Sequence, residues 1–260
     1  MPVNQSLLLK DKRYPERTVL DDAQTGWDVE VPGYNPPLYP DFEAIIERLA
    51  EQGVEVPDVQ TLVHLAKLTT RQAAEIVGEA IADVRHPLGR TGINGTGIYY
   101  KAGKSQTADL AVLRDEPYGG LEIALVYNRG KWHLPGGFLD PADQGDHKKA
   151  AIREGLEEIN IDLNPIAEQV ETLIPEHVKP SSSRSVDLGY LTTQVETIVL
   201  PNLEMSEDLK AGDDAELAEW VDGGTVLIMG HDGRMSKDHH QFALNAFRLA
   251  EKQKEAKALL

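Results

Sequence analysis

Cysteine is absent from this 260-residue chain. Disulfides and thiolate chemistry are therefore excluded, and any metal must be held by oxygen or imidazole. No apolar run reaches the roughly 18 residues needed to span a bilayer, which rules out a membrane-crossing helix. The opening residues, MPVNQSLLLKDKR, lack a basic segment leading into an apolar core and a small-residue cleavage site. No secretory leader is expected from them, and with the missing cysteine the expectation is a cytoplasmic protein. Positive charge is also scarce: 26 Lys and Arg stand against 43 Asp and Glu, a formal net charge of −17. That field repels polyanions and argues against nucleic-acid binding. A small anionic substrate would need local help, from divalent cations or a few placed Arg and Lys.

What remains is 41% hydrophobic, enough for a sizeable core. The first 40 residues are rich in Pro, Tyr and turn formers and read as an extended arm, with one strand expected over 26–31 (GWDVEV). Apolar residues at helical spacing (Phe42, Ile45, Ile46, Leu49) predict a helix ended by Gly53. A second is expected over 58–68, and a third, opened by Thr69-x-x-Gln72, over 69–84. The third carries Glu75, Glu79 and Asp83 beside Arg71, a poor phosphate surface, so a DNA-reading helix pair is not expected. Past GRTGINGTG (89–97) the texture changes. ADLAVLR and LEIALVYNR predict strands, KWHLPGG a short strand entering a glycine turn, 188–200 and 215–221 later strands, and QFALNAFRLAEKQKEAKALL a closing helix. A boundary near residue 105 separates an N-terminal arm and helical region, 1–105, from a mixed α/β domain, 106–260.

The stretch AAIREGLEEINI (150–161) sets three glutamates close together on one predicted helix. At 100° per residue, Ile152, Leu156 and Ile159 share an arc, with Glu154, Glu157 and Glu158 opposite. Like charges at this spacing cost a few tenths of a kcal/mol, and an interior Gly155 costs about 1 kcal/mol relative to Ala. The choice lies between a solvated acidic face and a cation site, where repulsion becomes affinity for a hard ion such as Mg²⁺.

Upstream runs WHLPGGFLDPADQGDHKK, and strand, double glycine, acidic loop and R-E-x-x-E-E helix together resemble the Nudix box, G-x5-E-x7-R-E-U-x-E-E-x-G-U. Gly137 takes the first glycine, and Arg153, Glu154, Glu157 and Glu158 the second half. The loop is two residues longer than the pattern. Its acidic position falls on Asp143 counted forward from Gly137, and on Gly145 counted back from Arg153. Gly155 stands at a usually bulky position and Asn160 at a usual glycine, where Asn also tolerates the left-handed backbone that ends helices.

The segments TGWDVEVPGYNPPLY, PLGRTGINGTG, AGDDAELAEWVD and HHQFALNAFRLAEK extend the similarity. Their order is that of the animal mitochondrial type of ADP-ribose pyrophosphatase and of the related domain of an ADP-ribose-gated cation channel. The resemblance implies an α/β (α+β) fold, the Nudix α/β/α sandwich with a mixed sheet. It implies Mg²⁺- or Mn²⁺-dependent hydrolysis of ADP-ribose to AMP and ribose 5-phosphate. The ions would sit on Glu154, Glu157, Glu158 and a carbonyl at Gly137, with Arg153 orienting Glu157. The alternatives are a non-hydrolysing ADP-ribose sensor and a pyrophosphatase for another nucleoside diphosphate, such as a nucleotide sugar or NADH.

On the same resemblance, Asp213 and Asp214 are a general base or extra metal ligand, or only a turn. Arg184 and Asp187 contact a ribose or phosphate, or form a loop salt bridge. Arg90 meets phosphate or ties two parts of the chain. His239 touches ligand or caps a helix. Thr96 stands where the family commonly has Arg, so no phosphate contact is carried over to it. The partner implied is a small nucleoside diphosphate, with no nucleic acid and no membrane, acting on a monomer or homodimer.

Overall fold

The structure is a computed structural model. It describes residues 15–37, 50, 51, 53, 72, 75, 84–95, 103–116, 119–178, 185–201, 209–213 and 215–258. Of the helices expected between 42 and 84, Ala50, Glu51, Gln72, Glu75 and Val84 are helical; the rest lies outside the described residues, as do Thr96, Arg184 and Asp214. The chain divides into two compact units, one of Met1–Ser105 with Val178–Thr192, the other of Gln106–His177 with Thr193–Leu260. The segment 178–192 thus groups with the N-terminal unit, although it follows the boundary read near residue 105.

In the N-terminal unit the strand expected over 26–31 is absent, replaced by turns after a helical turn, Asp22–Thr25. Side chains anchor this stretch instead. Trp27 Nε1 donates to the His86 carbonyl at 2.7 Å, and the guanidinium carbons of Arg85 and Arg90 lie 4.3 and 4.6 Å from the Trp27 ring centre. Stacked cations on an indole hold the backbone without a β ladder.

A seven-stranded sheet lies mostly within the second unit. Its strands are β1 (Gly103–Asp115), β2 (Leu121–Asn128), β3 (Lys131–His133), β4 (Gly136–Phe138), β5 (Glu171–Val178), β6 (Gly189–Val199) and β7 (Leu217–Asp222). The order is β3-β2-β1-β6-β5, with β4 paired to β1 and β7 to β2. Strand β1 is apolar on both faces because both are covered. Ala108, Leu110 and Val112 enter a core with α1 (His147–Ile159), which supplies Ala150, Ala151, Ile152 and Ile159. Ala111 and Leu113 enter the opposite core, with α2 (Gly223–His231) and α3 (Lys237–Ala258). Helices on both faces make the expected α/β/α sandwich. No helix among the described residues is long and apolar enough to cross a membrane.

Helix α1 is capped at both ends. Asp146 accepts from the Lys148 and Lys149 amides, and Asn160 closes the helix at φ 58°, its amide reaching the Gly155 and Leu156 carbonyls. The face assignment needs correcting. Leu156 is 43% exposed, whereas Gly155 is buried, and a Cβ there would lie 2.7 Å from Leu110 Cδ2. The helix approaches β1 through its glycine, which turns Leu156 outward. The carboxylates are not a uniform solvated fence either: Glu154 and Glu158 are buried and Glu157 is exposed.

Candidate active site

The two glycines after Pro135 form strand β4 rather than a simple turn, pairing Thr107 with Phe138, Ala108 with Gly137 and Asp109 with Gly136. This pairing lays the glycine backbone against α1. A Cβ on Gly137 would meet Glu154 Oε1 and lie 2.8 Å from its Cδ, so only glycine lets the carboxylate pack on the strand. The Gly136 amide donates to Glu158 Oε2 at 2.8 Å. Both buried glutamates are thus fixed by β4.

Arg153 organises the rest. Its Nη1 donates to Glu154 Oε1 and Glu157 Oε2, each at 2.8 Å, and its Nη2 donates to the Phe138 carbonyl and Asp143 Oδ2, each at 3.0 Å. The pairing with Glu157 is the i, i+4 contact expected from the sequence. Of the two candidates for the acidic box position, Asp143 is the one that meets Arg153. It ends a 3₁₀ turn, Pro141–Asp143, and its Oδ2 also accepts from the Asp140 amide at 2.7 Å. The two extra residues fall after it, where Gln144 and Gly145 take positive φ of 54° and 79° and return the chain to the Asp146 cap.

The electrostatics follow this geometry. Burial raises the Glu154 carboxyl; Arg153 opposes it, but the charges of Glu157 and Asp213 add to it, and the pKa stays above the ordinary carboxylate value. Burial also acts to raise Asp143, yet the Arg153 hydrogen bond, the Asp140 amide and nearby cations outweigh it and leave that pKa low. For Arg153, burial acts downward and is overcome by Asp143, Glu154 and Glu157, so it remains a fixed cation.

Asp213 reaches this cluster through the loop before β7. The Lys210 and Gly212 amides donate to the Ile159 and Glu158 carbonyls at 3.4 and 3.2 Å, docking the loop on the last turn of α1. A Cβ on Gly212 would strike the Glu157 carbonyl oxygen, and Asp213 follows at φ 48°. Sequence reasoning named the two aspartates but missed Gly212, whose only signal was a glycine directly before them.

As donors for a metal, Glu154, Glu157, Glu158 and Asp213 are all hard oxygen ligands, suited to Mg²⁺ or Mn²⁺. Among the described residues no three His, Asp or Glu side chains already converge as a coordination shell. Arg153 satisfies Glu154 and Glu157 instead. The donor set, carboxylates on α1 with Asp213 on the loop docked against that helix, fits such an ion in chemistry.

The remaining expected site residues each have contacts of their own. In the N-terminal unit, Asp187 is fully buried: Oδ1 accepts from the Thr91 amide and hydroxyl at 2.6 and 3.0 Å, and Oδ2 from the Tyr34 hydroxyl at 2.7 Å. Arg90, also buried, donates through Nη1 to the Gln24 and Gly26 carbonyls at 3.2 and 2.5 Å. These are the contacts of tying residues. His239, in the first turn of α3, accepts from the Leu134 amide at 3.2 Å and lies edge-on to His133.

A family model described as the NUDIX domain matches residues 104–236. The chain is 24% identical over 223 residues to "Putative nudix hydrolase 6" of Caenorhabditis elegans, covering 79% of this chain and 82% of that one. It is 24% identical over 264 residues to "ADP-ribose pyrophosphatase, mitochondrial" of Rattus norvegicus, covering 87% and 72%. Among solved structures, a MutT/nudix family protein from Enterococcus faecalis matches at 26% identity and TM-score 0.37, over 45% of this chain and 43% of that one. The NUDIX domain of Shewanella oneidensis NrtR, complexed with ADP ribose, matches at 20% identity and TM-score 0.44, over 55% and 86%. With more than half of its length matched by the domain model, and with Arg153, Glu154, Glu157 and Glu158 assembled on one helix against a double-glycine strand, the chain belongs to the Nudix hydrolase family.

Proposed function

We propose that this protein hydrolyses the diphosphate bond of ADP-ribose, giving AMP and ribose 5-phosphate. The observation that carries the reading is the complete set around Arg153, with Asp143, Glu154 and Glu157 on its guanidinium and Glu158 held by Gly136. The choice of ADP-ribose within the family is supported by the similarity to the rat pyrophosphatase over most of this chain.

Glu154, Glu157 and Glu158, with the Gly137 carbonyl, would hold Mg²⁺ or Mn²⁺, which when bound neutralises diphosphate charge and lowers the pKa of an attacking water. Arg153 keeps two of the three carboxylates oriented, and the Gly136 amide fixes the third. Asp213, on the loop docked on the last turn of α1, or its neighbour Asp214, accepts the proton of the attacking water as it adds to phosphorus. The P–O bond of the anhydride then breaks, and the leaving phosphate departs as a monoester. His239 is assigned to the substrate on the same reading, and Arg90 and Asp187, each buried on its own partners, to holding the N-terminal unit together.

The test is purified protein with Mg²⁺ and a panel of ADP-ribose, NADH, ADP-glucose and ATP, products being resolved by chromatography. AMP from ADP-ribose alone supports the proposal. Cleavage of the whole panel indicates a general nucleoside diphosphate hydrolase, and tight binding of ADP-ribose without product indicates a sensor.

A further inference from the structure

The site described so far lies on the α1 side of the sheet. One buried polar pair lies on the other side and touches the same strand. Asp109 and Thr193 are 3% and 0% exposed, and the Thr193 hydroxyl donates to Asp109 Oδ2 at 2.6 Å. Asp109 alternates with Ala108 and Leu110, which face α1, so its side chain enters the opposite face, beside Ala111. There it fills the space a side chain at position 136 would need. A Cβ on Gly136 would lie 2.8 Å from both Asp109 Oδ1 and Asp109 Cα, and 2.5 Å from the Ala108 carbonyl oxygen. Gly136 is the register partner of Asp109 and gives its amide to Glu158. A contiguous chain of contacts, Thr193–Asp109–Gly136–Glu158, therefore crosses the sheet.

We propose that Asp109 and Thr193 are positioning residues for Glu158: by fixing the Asp109 carboxylate against Gly136, the Thr193 hydroxyl sets where the Gly136 amide points, and with it the orientation of Glu158. The physical case is one of cost. A buried carboxylate is unfavourable unless hydrogen-bonded, and an apolar residue facing a neighbouring core would stabilise the sheet more simply. Gly136, lacking a side chain to pack, depends on its neighbours for rigidity. The pair supplies what the glycine lacks, next to the amide that donates to Glu158.

The proposal rests on Glu158 belonging to the reactive site, so the test uses a readout independent of turnover. Amide hydrogen exchange of Gly136 is followed by NMR in the wild type, Thr193→Val and Thr193→Ser, with Ile123 and Val126 as reference core amides. In Thr193→Val, Gly136 exchange is expected to accelerate about 10-fold or more relative to the references. The kcat for ADP-ribose falls by about 10-fold or more at nearly constant KM, the size expected of misplacing a catalytic group. Thr193→Ser, which keeps the hydroxyl, restores both. If Thr193→Val does not fold, Asp109→Ala, which removes the acceptor of the Thr193 hydroxyl, is compared in the same way with the same expectation. Gly136 exchange that is unchanged, or that moves only in step with Ile123 and Val126, overturns the proposal. An altered Gly136 amide in a protein whose wild type does not cleave ADP-ribose upholds the positioning and refutes the substrate.

Discussion

Asp143 Oδ2 lies 3.0 Å from Arg153 Nη2, ten residues away across a loop two residues longer than the family pattern. The guanidinium therefore keeps its acidic anchor even though the spacing is altered. The extra residues are taken up beyond Asp143, by the left-handed Gln144 and Gly145, so the lengthening does not reach the α1 carboxylates.

Asp143→Ala frees Arg153 from one of its partners and removes a buried charged hydrogen bond, at a cost of about 1–3 kcal/mol. Turnover falls by about 10-fold or more as Glu154 and Glu157 lose their common orientation. Asp143→Glu recovers part of both. Chemical denaturation and steady-state kinetics on the three proteins check it.

Gly212→Ala places a Cβ against the Glu157 carbonyl oxygen and lifts the 209–213 loop from α1. The expected result is a loss of activity of about 10-fold or more, again the scale of a displaced group, with a melting temperature close to wild type. Unchanged kinetics would detach Asp213 from the reaction.

Glu154 is buried, and its pKa is raised by burial first and by Glu157 and Asp213 in addition. A carboxyl whose folded pKa exceeds its unfolded value of about 4.3 destabilises the fold when charged. The cost is absent below the unfolded pKa, grows as pH rises toward the folded one, and is constant above it. In chelator at pH 7, Glu154→Gln is therefore expected to melt above wild type while losing activity, with the advantage vanishing below about pH 4. Calorimetry across that range measures it.

His86 gives the opposite sign. Burial, reinforced by the charge of Arg17, lowers its pKa to about 4. The unfolded chain then binds a proton that the folded one refuses, so stability is fully present above the unfolded pKa of about 6.5 and is lost as pH falls from there toward 4. The N-terminal unit is expected to become protease-sensitive on acidification through this window, and His86→Phe to flatten that slope. Limited proteolysis between pH 4 and 7 is the measurement.

The parts of the site legible in the sequence were those encoded locally. Arg153, Glu154, Glu157 and Glu158 fall within six residues, and helical geometry alone brings Arg153 to Glu157. Leu156 and Gly155 misled because an apolar side chain outranks a glycine on a helical wheel, whereas the close approach to Leu110 needs the absence of a side chain. Strand β5, ETLIPEHV, was missed because Pro175 and its charges hide the alternation, as befits an edge strand. Counting left Asp143 and Gly145 undecided, and only the fold shows which reaches Arg153. The Tyr34–Asp187 bond joins residues 153 apart, beyond any local pattern.

The role of the α1 carboxylates in ADP-ribose hydrolysis is decided by one comparison: AMP and ribose 5-phosphate released with Mg²⁺ by the wild type and by Glu158→Gln, which keeps an acceptor for the Gly136 amide. Equimolar products are expected from the wild type, and a rate lower by about 10²-fold or more from the variant, the scale for losing a key electrostatic group, with the fold intact. Equal rates in the two proteins would contradict that role.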